Sequence, residues 1–134
     1  MTLSALIPAL VEEVLRYESP AQCVFRLAVD DVELAGEVIP KGSVVLPLIG
    51  SANRDPSKFE DPDRFNIHRD TKGHIAFGQD IHFCLGAALA RLEARVVLEV
   101  MLEALPTLRR KEADVAWVPS MIMRTPHHLV LEPA

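Results

Sequence analysis

Between residues 53 and 84 the chain reads NRDPSKFEDPDRFNIHRDTKGHIAFGQDIHFC. Its density of Pro, Asp and Gly forbids a long helix or a continuous strand. An irregular segment of this length inside a small domain is uncommon and usually functional. It is followed at once by LGAALARLEARVVLEVMLEAL, which has the apolar spacing and the composition of a long helix. Whatever this chain folds into, a long shaped loop must be fastened down in front of that helix.

Cys84 stands at the seam. The first N–H groups of a helix lack internal partners, and the helix dipole places partial positive charge there. Such a position favours thiolate over thiol, and His82 two residues earlier can add a donor or a charge. A thiol held there can act as a nucleophile, a redox group or a metal ligand. The competing reading is a buried small hydrophobe, which is common for cysteine. Gly86 with Ala87, Ala88 and Ala90 leaves the helix start without bulk, so something large and flat could lie close to it. Zinc is a rival ligand, with Cys84, His82, His74 and His68 as donors, but no second closely spaced ligand pair is present.

The rest of the chain sets limits. The 134 residues suffice for one domain with a modest core. The net charge of −5, with acids and bases interspersed, argues against nucleic-acid binding. Two cysteines, Cys23 and Cys84, make no disulfide framework. The start, MTLSALIPALVEE, lacks the pattern of a signal peptide, and the longest apolar run, residues 44–49, is too short to span a bilayer. A cytoplasmic protein without a membrane anchor is therefore expected.

Pro8 suits a first helical turn, ALVEEVLRY continues it, and Pro20 stops it. VFRLAV, VELAG, EVI and SVVLPL read as short strands, with turns at Asp30-Asp31 and Pro40-Lys41-Gly42. The spacing predicts a helix over residues 85–105, with Leu85, Leu89, Leu92, Val96 and Val100 on one buried face. Arg91, Arg95, Glu99 and Glu103 run down another face, with pairing possible between Arg95 and Glu99. HHLVLEP reads as a last strand. Glu13 and Arg16 meet on one face of the first helix. Taken alone they form a solvated pair worth less than about 1 kcal/mol. Arg64, in PDRF, would ordinarily face solvent.

The ordered set of Glu-x-x-Arg, ANRDP, DPDRFNIHR, HIAFG and the Phe-Gly…His-x-Cys-x-Gly loop resembles the cytochrome P450 family, most closely its soluble bacterial members. The likeness covers nearly the whole chain and implies an α+β, mainly α, partial P450 fold over residues 1–134. Its parts would be the Glu-x-x-Arg helix, a small sheet, a long meander, the Cys loop, a long helix and a hairpin-like β tail. It implies a haem-thiolate monooxygenase that inserts one atom of O₂ into a small organic substrate. Haem b would be the cofactor and Cys84 its axial iron ligand; this family is the standard example of cysteinate-ligated haem. Phe77 would pack near the sulfur, with Gly78 and Gly86 shaping the loop, and His82 and Arg26 would meet the haem propionates. Glu13, Arg16 and Arg64 would form a buried ion network that fixes the meander. Residues 21–28 and 122–125 would touch the substrate side. Electrons would come from a ferredoxin- or flavodoxin-type donor with its reductase.

Two departures accompany the likeness. Asp80 stands where the family loop has Gly, and Asp tolerates positive φ better than most residues. The chain also matches only the C-terminal, haem-ligand third of such an enzyme. The alternative expectation is a truncated haem-binding or interaction module, or a non-functional fragment, without turnover by itself, with the missing N-terminal part or a second copy of the chain as partner.

Overall fold

The structure, a computed structural model, describes residues 3–134. Helix α1, Ile7–Tyr17, carries Pro8 in its first turn, where a missing N–H costs nothing, and ends as Glu18 N–H closes on Val14 C=O. Its inward face is half apolar and half ionic: Ile7 and Val11 are buried, and so are Glu13 and Arg16.

The β region is a set of three two-stranded antiparallel ladders. Strands β1 (Arg26–Leu27) and β4 (Val44–Val45) pair Arg26 with Val45. Strands β2 (Val32–Leu34) and β3 (Glu37–Ile39) form a hairpin whose turn residues, Ala35 and Gly36, both have positive φ. That is the geometry that matches strand twist in a two-residue turn. The apolar text SVVLPL does not stay extended: it leaves β4 at Pro47 and enters α2, a single turn at Ile49–Ala52.

The stretch from residue 53 to 84 is irregular, as its composition requires, apart from a 3₁₀ turn at Asp80–His82. Helix α3 spans Ala87–Ala104, and Pro106 lies in the turn that ends it. Strand β6 (Leu131–Pro133) pairs with β5 (Leu108–Arg110), a strand too short and too charged to be legible in the sequence.

Few apolar side chains are buried: Ile7, Val11, Cys23, Ile49, Phe59 and Ala87. The largest fully buried side chains are instead Arg16, Glu13 and Asn53. Helix α3 corrects one expectation. Leu85, Leu89, Leu92, Val96 and Val100 are exposed rather than buried, Leu92 at 56% and Val100 at 68%. Helix α1 meets α3 at Arg91, where Leu92 borders a cleft shared with Pro8 and Val11, and the leucine and valine stripe stays largely open.

Candidate functional site

The site is built from the meander inward. Arg16 Nε and Nη2 donate to the two carboxylate oxygens of Glu13, each at 2.8 Å, and both side chains are wholly buried. Arg16 Nη1 donates to the carbonyls of Asn53 and Pro62, while the Asn66 N–H donates to Glu13. One helical ion pair thus holds three points of the meander. Burial pushes the Glu13 carboxyl up, but the hydrogen bonds from Arg16 and Asn66 and the charges of Arg16 and Arg69 outweigh it and leave it below its ordinary value.

The expected third member of this network is corrected. Arg64 is exposed. Arg69 occupies the place instead, with its Nε 3.5 Å from Glu13 Oε1, close enough for ionic attraction without a hydrogen bond. Its guanidinium donates to the carbonyls of Glu60, Asp61 and Arg64, which folds the loop around it. The two arginines close successive turns, Arg64 N–H on Asp61 C=O and Arg69 N–H on Asn66 C=O, and it is the second whose side chain reaches Glu13.

Asn53 is a further anchor that sequence reasoning did not single out. Its Nδ2 donates to Ser19 Oγ at 2.8 Å and its Oδ1 accepts the Ile75 N–H at 2.7 Å. The motif ANRDP marked the place but not the role.

From Ile75 the chain turns into the Cys84 loop. Gly78 N–H bonds to Ile75 C=O, His82 N–H to Gln79 C=O, and Phe83 N–H to Asp80 C=O. Gly78 has φ +75°, and a Cβ there would lie 2.8 Å from the His82 carbonyl oxygen, so glycine is required on two grounds. Asp80 also lies in the left-handed region, at φ +51°. The loop closes where Cys84 N–H donates to Phe77 C=O at 2.8 Å, and α3 is launched as Ala87 N–H bonds to Cys84 C=O. Gly86 caps the helix, and a Cβ there would be 3.9 Å from Cys84 Sγ, an ordinary contact.

Cys84 is a free, exposed thiol. It lines a cleft of about 490 Å³ together with Phe77, His82, Arg26, Val24 and Met123. Three separate parts of the chain converge there: the Cys loop, the β1 segment and the tail. Backbone bonds of Gln22 N–H to Ile122 C=O and Arg124 N–H to Pro20 C=O bind the last two together. Most of the lining is apolar, while Arg26 and His82 supply cationic or donor groups. Among the described residues neither is paired with a carboxylate. The metal-cluster alternative finds no such convergence: both ring nitrogens of His74 are engaged, Nε2 with Glu12 and Nδ1 with the Ala76 N–H. Among the described residues, no three His, Cys, Asp or Glu side chains gather to hold a metal ion. No described helix is long and apolar enough to cross a membrane.

The cleft fits a flat apolar group with acidic tails and a soft metal centre. A single thiol lines it, the walls are mostly apolar, and two basic side chains without a carboxylate partner among the described residues stand there. The model of the family described as Cytochrome P450 matches residues 4–128. Cytochrome P450 107B1 of Saccharopolyspora erythraea is 48% identical over an alignment 132 positions long that covers 96% of this chain and 33% of that protein. The 6-deoxyerythronolide B hydroxylase of the same organism is 46% identical over 92% of this chain and 31% of its own length. Among solved structures, CYP109Q5 from Chondromyces apiculatus superposes with a TM-score of 0.90 at 59% identity, covering 98% of this chain and 34% of that one. CYP109E1 from Bacillus megaterium, in complex with testosterone, gives 0.91 at 40% identity, covering 96% of this chain and 36% of that one. The chain thus spans about a third of the length of the relatives it matches. With its sequence matched almost end to end and its backbone superposing on these folds, this chain belongs to the cytochrome P450 family.

Proposed function

We propose that this chain is the haem-ligand part of a monooxygenase, in which the Cys84 thiolate would hold the iron of protoporphyrin (haem b). The observation that carries this reading is the convergence of an exposed thiol, apolar walls, Arg26 and His82 on one cleft. When bound, the haem supplies an iron centre able to activate dioxygen for insertion of one oxygen atom into an organic substrate. The residues divide the remaining work. The Phe77 carbonyl fixes the backbone of Cys84, which sets where the sulfur points. Arg26 and His82 bind the propionates by charge and hydrogen bonding. Phe77 lines the cleft beside Cys84, and its ring centroid lies 6.4 Å from that of Phe83. Val24, Pro47 and Met123 offer apolar surface, which suits a small, largely hydrocarbon substrate. Electrons come from a ferredoxin- or flavodoxin-type donor with its reductase.

A second reading has an observation of its own. The stripe of Leu89, Leu92, Val96 and Val100 on α3 lies open. This favours a haem-binding module that does not turn over by itself over a self-sufficient 134-residue enzyme. A carbon-monoxide difference spectrum tests the central claim. The reduced, haem-loaded chain should show the red-shifted band of a thiolate complex. Cys84→Ala should abolish that band and Cys23→Ala should keep it. A thiolate band that survives Cys84→Ala removes Cys84 from the iron.

A further inference from the structure

Glu12 stands one residue before the buried Glu13 and belongs to a separate network. Arg91, on α3, donates through Nε and Nη2 to Glu12 Oε1 and Oε2, at 2.5 and 2.9 Å. His74 donates through Nε2 to Glu12 Oε2 at 2.9 Å, its Nδ1 being occupied by the Ala76 N–H. The Arg91 guanidinium carbon also stands 4.6 Å from the centroid of the Phe77 ring. Phe77 is the residue whose carbonyl receives the Cys84 N–H. The Glu12 carboxylate therefore grips the loop twice: directly three residues before Phe77, through His74, and indirectly at the Phe77 ring, through Arg91.

Stability alone does not account for this arrangement. Arg91 and Glu12 are about one third exposed, and ion pairs of that kind contribute little. A planar cation held by a two-point fork over a ring does something else, because it fixes the orientation of both partners. We infer that Glu12, Arg91 and His74 form a clamp that positions Phe77 and, through the Phe77 carbonyl, the Cys84 backbone. Arg91 is the central positioning residue. The clamp matters for haem only if the reading of Cys84 above holds, but the clamp itself is a property of the chain without haem.

The test follows amide hydrogen exchange at residue 84 in the 134-residue chain without haem, by mass spectrometry. Alkylation of Cys23, which is 2% exposed, reports opening of the whole fold. The variants are Arg91→Lys, which keeps the charge but not the planar fork, Phe77→Leu, Glu12→Gln and the double variant Arg91→Lys/Phe77→Leu. Each single variant should speed exchange at residue 84 by roughly 3- to 10-fold, the worth of such a cation–ring contact. The double variant should add nothing further, and Cys23 should stay protected. The proposal is overturned if Arg91→Lys exchanges as the unsubstituted chain does, or if the Arg91 and Phe77 effects add. It also fails if Cys23 opens in step with residue 84 in Arg91→Lys, or if the unsubstituted chain shows no protection at residue 84. Should Glu12→Gln open the fold globally, the charge-conserving Arg91→Lys decides. Haem titration of the same unsubstituted chain is a separate readout. Protection of residue 84 without haem binding overturns the haem reading and leaves the clamp standing.

Discussion

The Arg16 guanidinium bonds both carboxylate oxygens of Glu13 at 2.8 Å, and neither side chain retains any exposed surface. An isolated pair at this spacing on a helix would contribute little. Here the pair is dry, and its remaining valences go to Asn53, Pro62 and Asn66 of the meander. Removing one partner strands the other charge. Glu13→Ala and Arg16→Ala are therefore each expected to cost about 3–5 kcal/mol, a large share of the stability of a chain of this size. Arg69→Ala should cost less, since its contact to Glu13 is not a hydrogen bond. Arg64→Ala should change stability by less than about 0.5 kcal/mol. Urea unfolding of the four variants gives the order, and an Arg64 effect as large as that of Arg16 would contradict the assignment of Arg69.

Acid should loosen the same region. The hydrogen bond from Arg91 holds Glu12 below its ordinary value of 4.5, against the opposing effect of burial. Glu13 is likewise lowered, its bonds outweighing burial. A carboxyl lowered in the folded state adds stability that is fully present above its unfolded value and is lost as the pH falls toward the folded value. Stability should thus be flat above about pH 5 from these two groups and fall steadily below it. Glu12→Gln should be less stable than the unsubstituted chain at neutral pH and should show a shallower acid decline. An equal slope in both proteins, measured by urea midpoints across pH 3–7, would remove Glu12 from the acid response.

Much of this was legible in the sequence, and the limits have physical causes. The Cys84 loop could be read because its glycine and its helix start are local features. The irregular run from residue 53 could be read from Pro and Asp alone. Arg69 could not be told from Arg64, because the choice depends on which side of a loop bend faces Glu13. The clamp of Glu12, His74 and Arg91 joins residues far apart in the chain, and no local spacing announces it. The α3 stripe misled for the opposite reason: an apolar periodicity states that a face wants cover, not that these residues provide it.

Gly78 and Asp80 share positive φ but should respond differently to substitution. Gly78→Ala brings a Cβ to 2.8 Å from the His82 carbonyl at φ +75°, and backbone cannot swing aside. A loss of about 1–3 kcal/mol and a weakened Cys84 loop are expected. Asp80→Gly relieves a residue at φ +51° but adds freedom to the unfolded chain, so the two effects, each on the order of 1 kcal/mol, should nearly cancel. Thermal unfolding of both variants checks the contrast. A costly Asp80→Gly would show that the Asp80 carboxylate does something beyond filling the turn.

The open stripe on α3 decides how the purified 134-residue chain behaves. Leu89, Leu92, Val96, Val97 and Val100 are each more than two-fifths exposed along one helix, and a contiguous apolar surface of this kind associates in water. Because these side chains are not packed, replacing them should cost little folding free energy, unlike substitution at a core position. Leu92→Glu with Val96→Lys is therefore expected to leave unfolding midpoints within about 0.5 kcal/mol of the parent. The same pair should shift the chain from oligomers toward monomer in sedimentation velocity. Both side chains are solvent-exposed and neither lines the Cys84 cleft, so haem retention should be unchanged or improved as aggregation recedes. Coupled hydroxylation by the monomeric double variant, supplied with haem and a ferredoxin system, would show instead that this short chain turns over unaided. Equal oligomerisation in parent and variant would place the sticky surface elsewhere, with the exposed Ile81 and Leu85 beside Cys84 as the next residues to change.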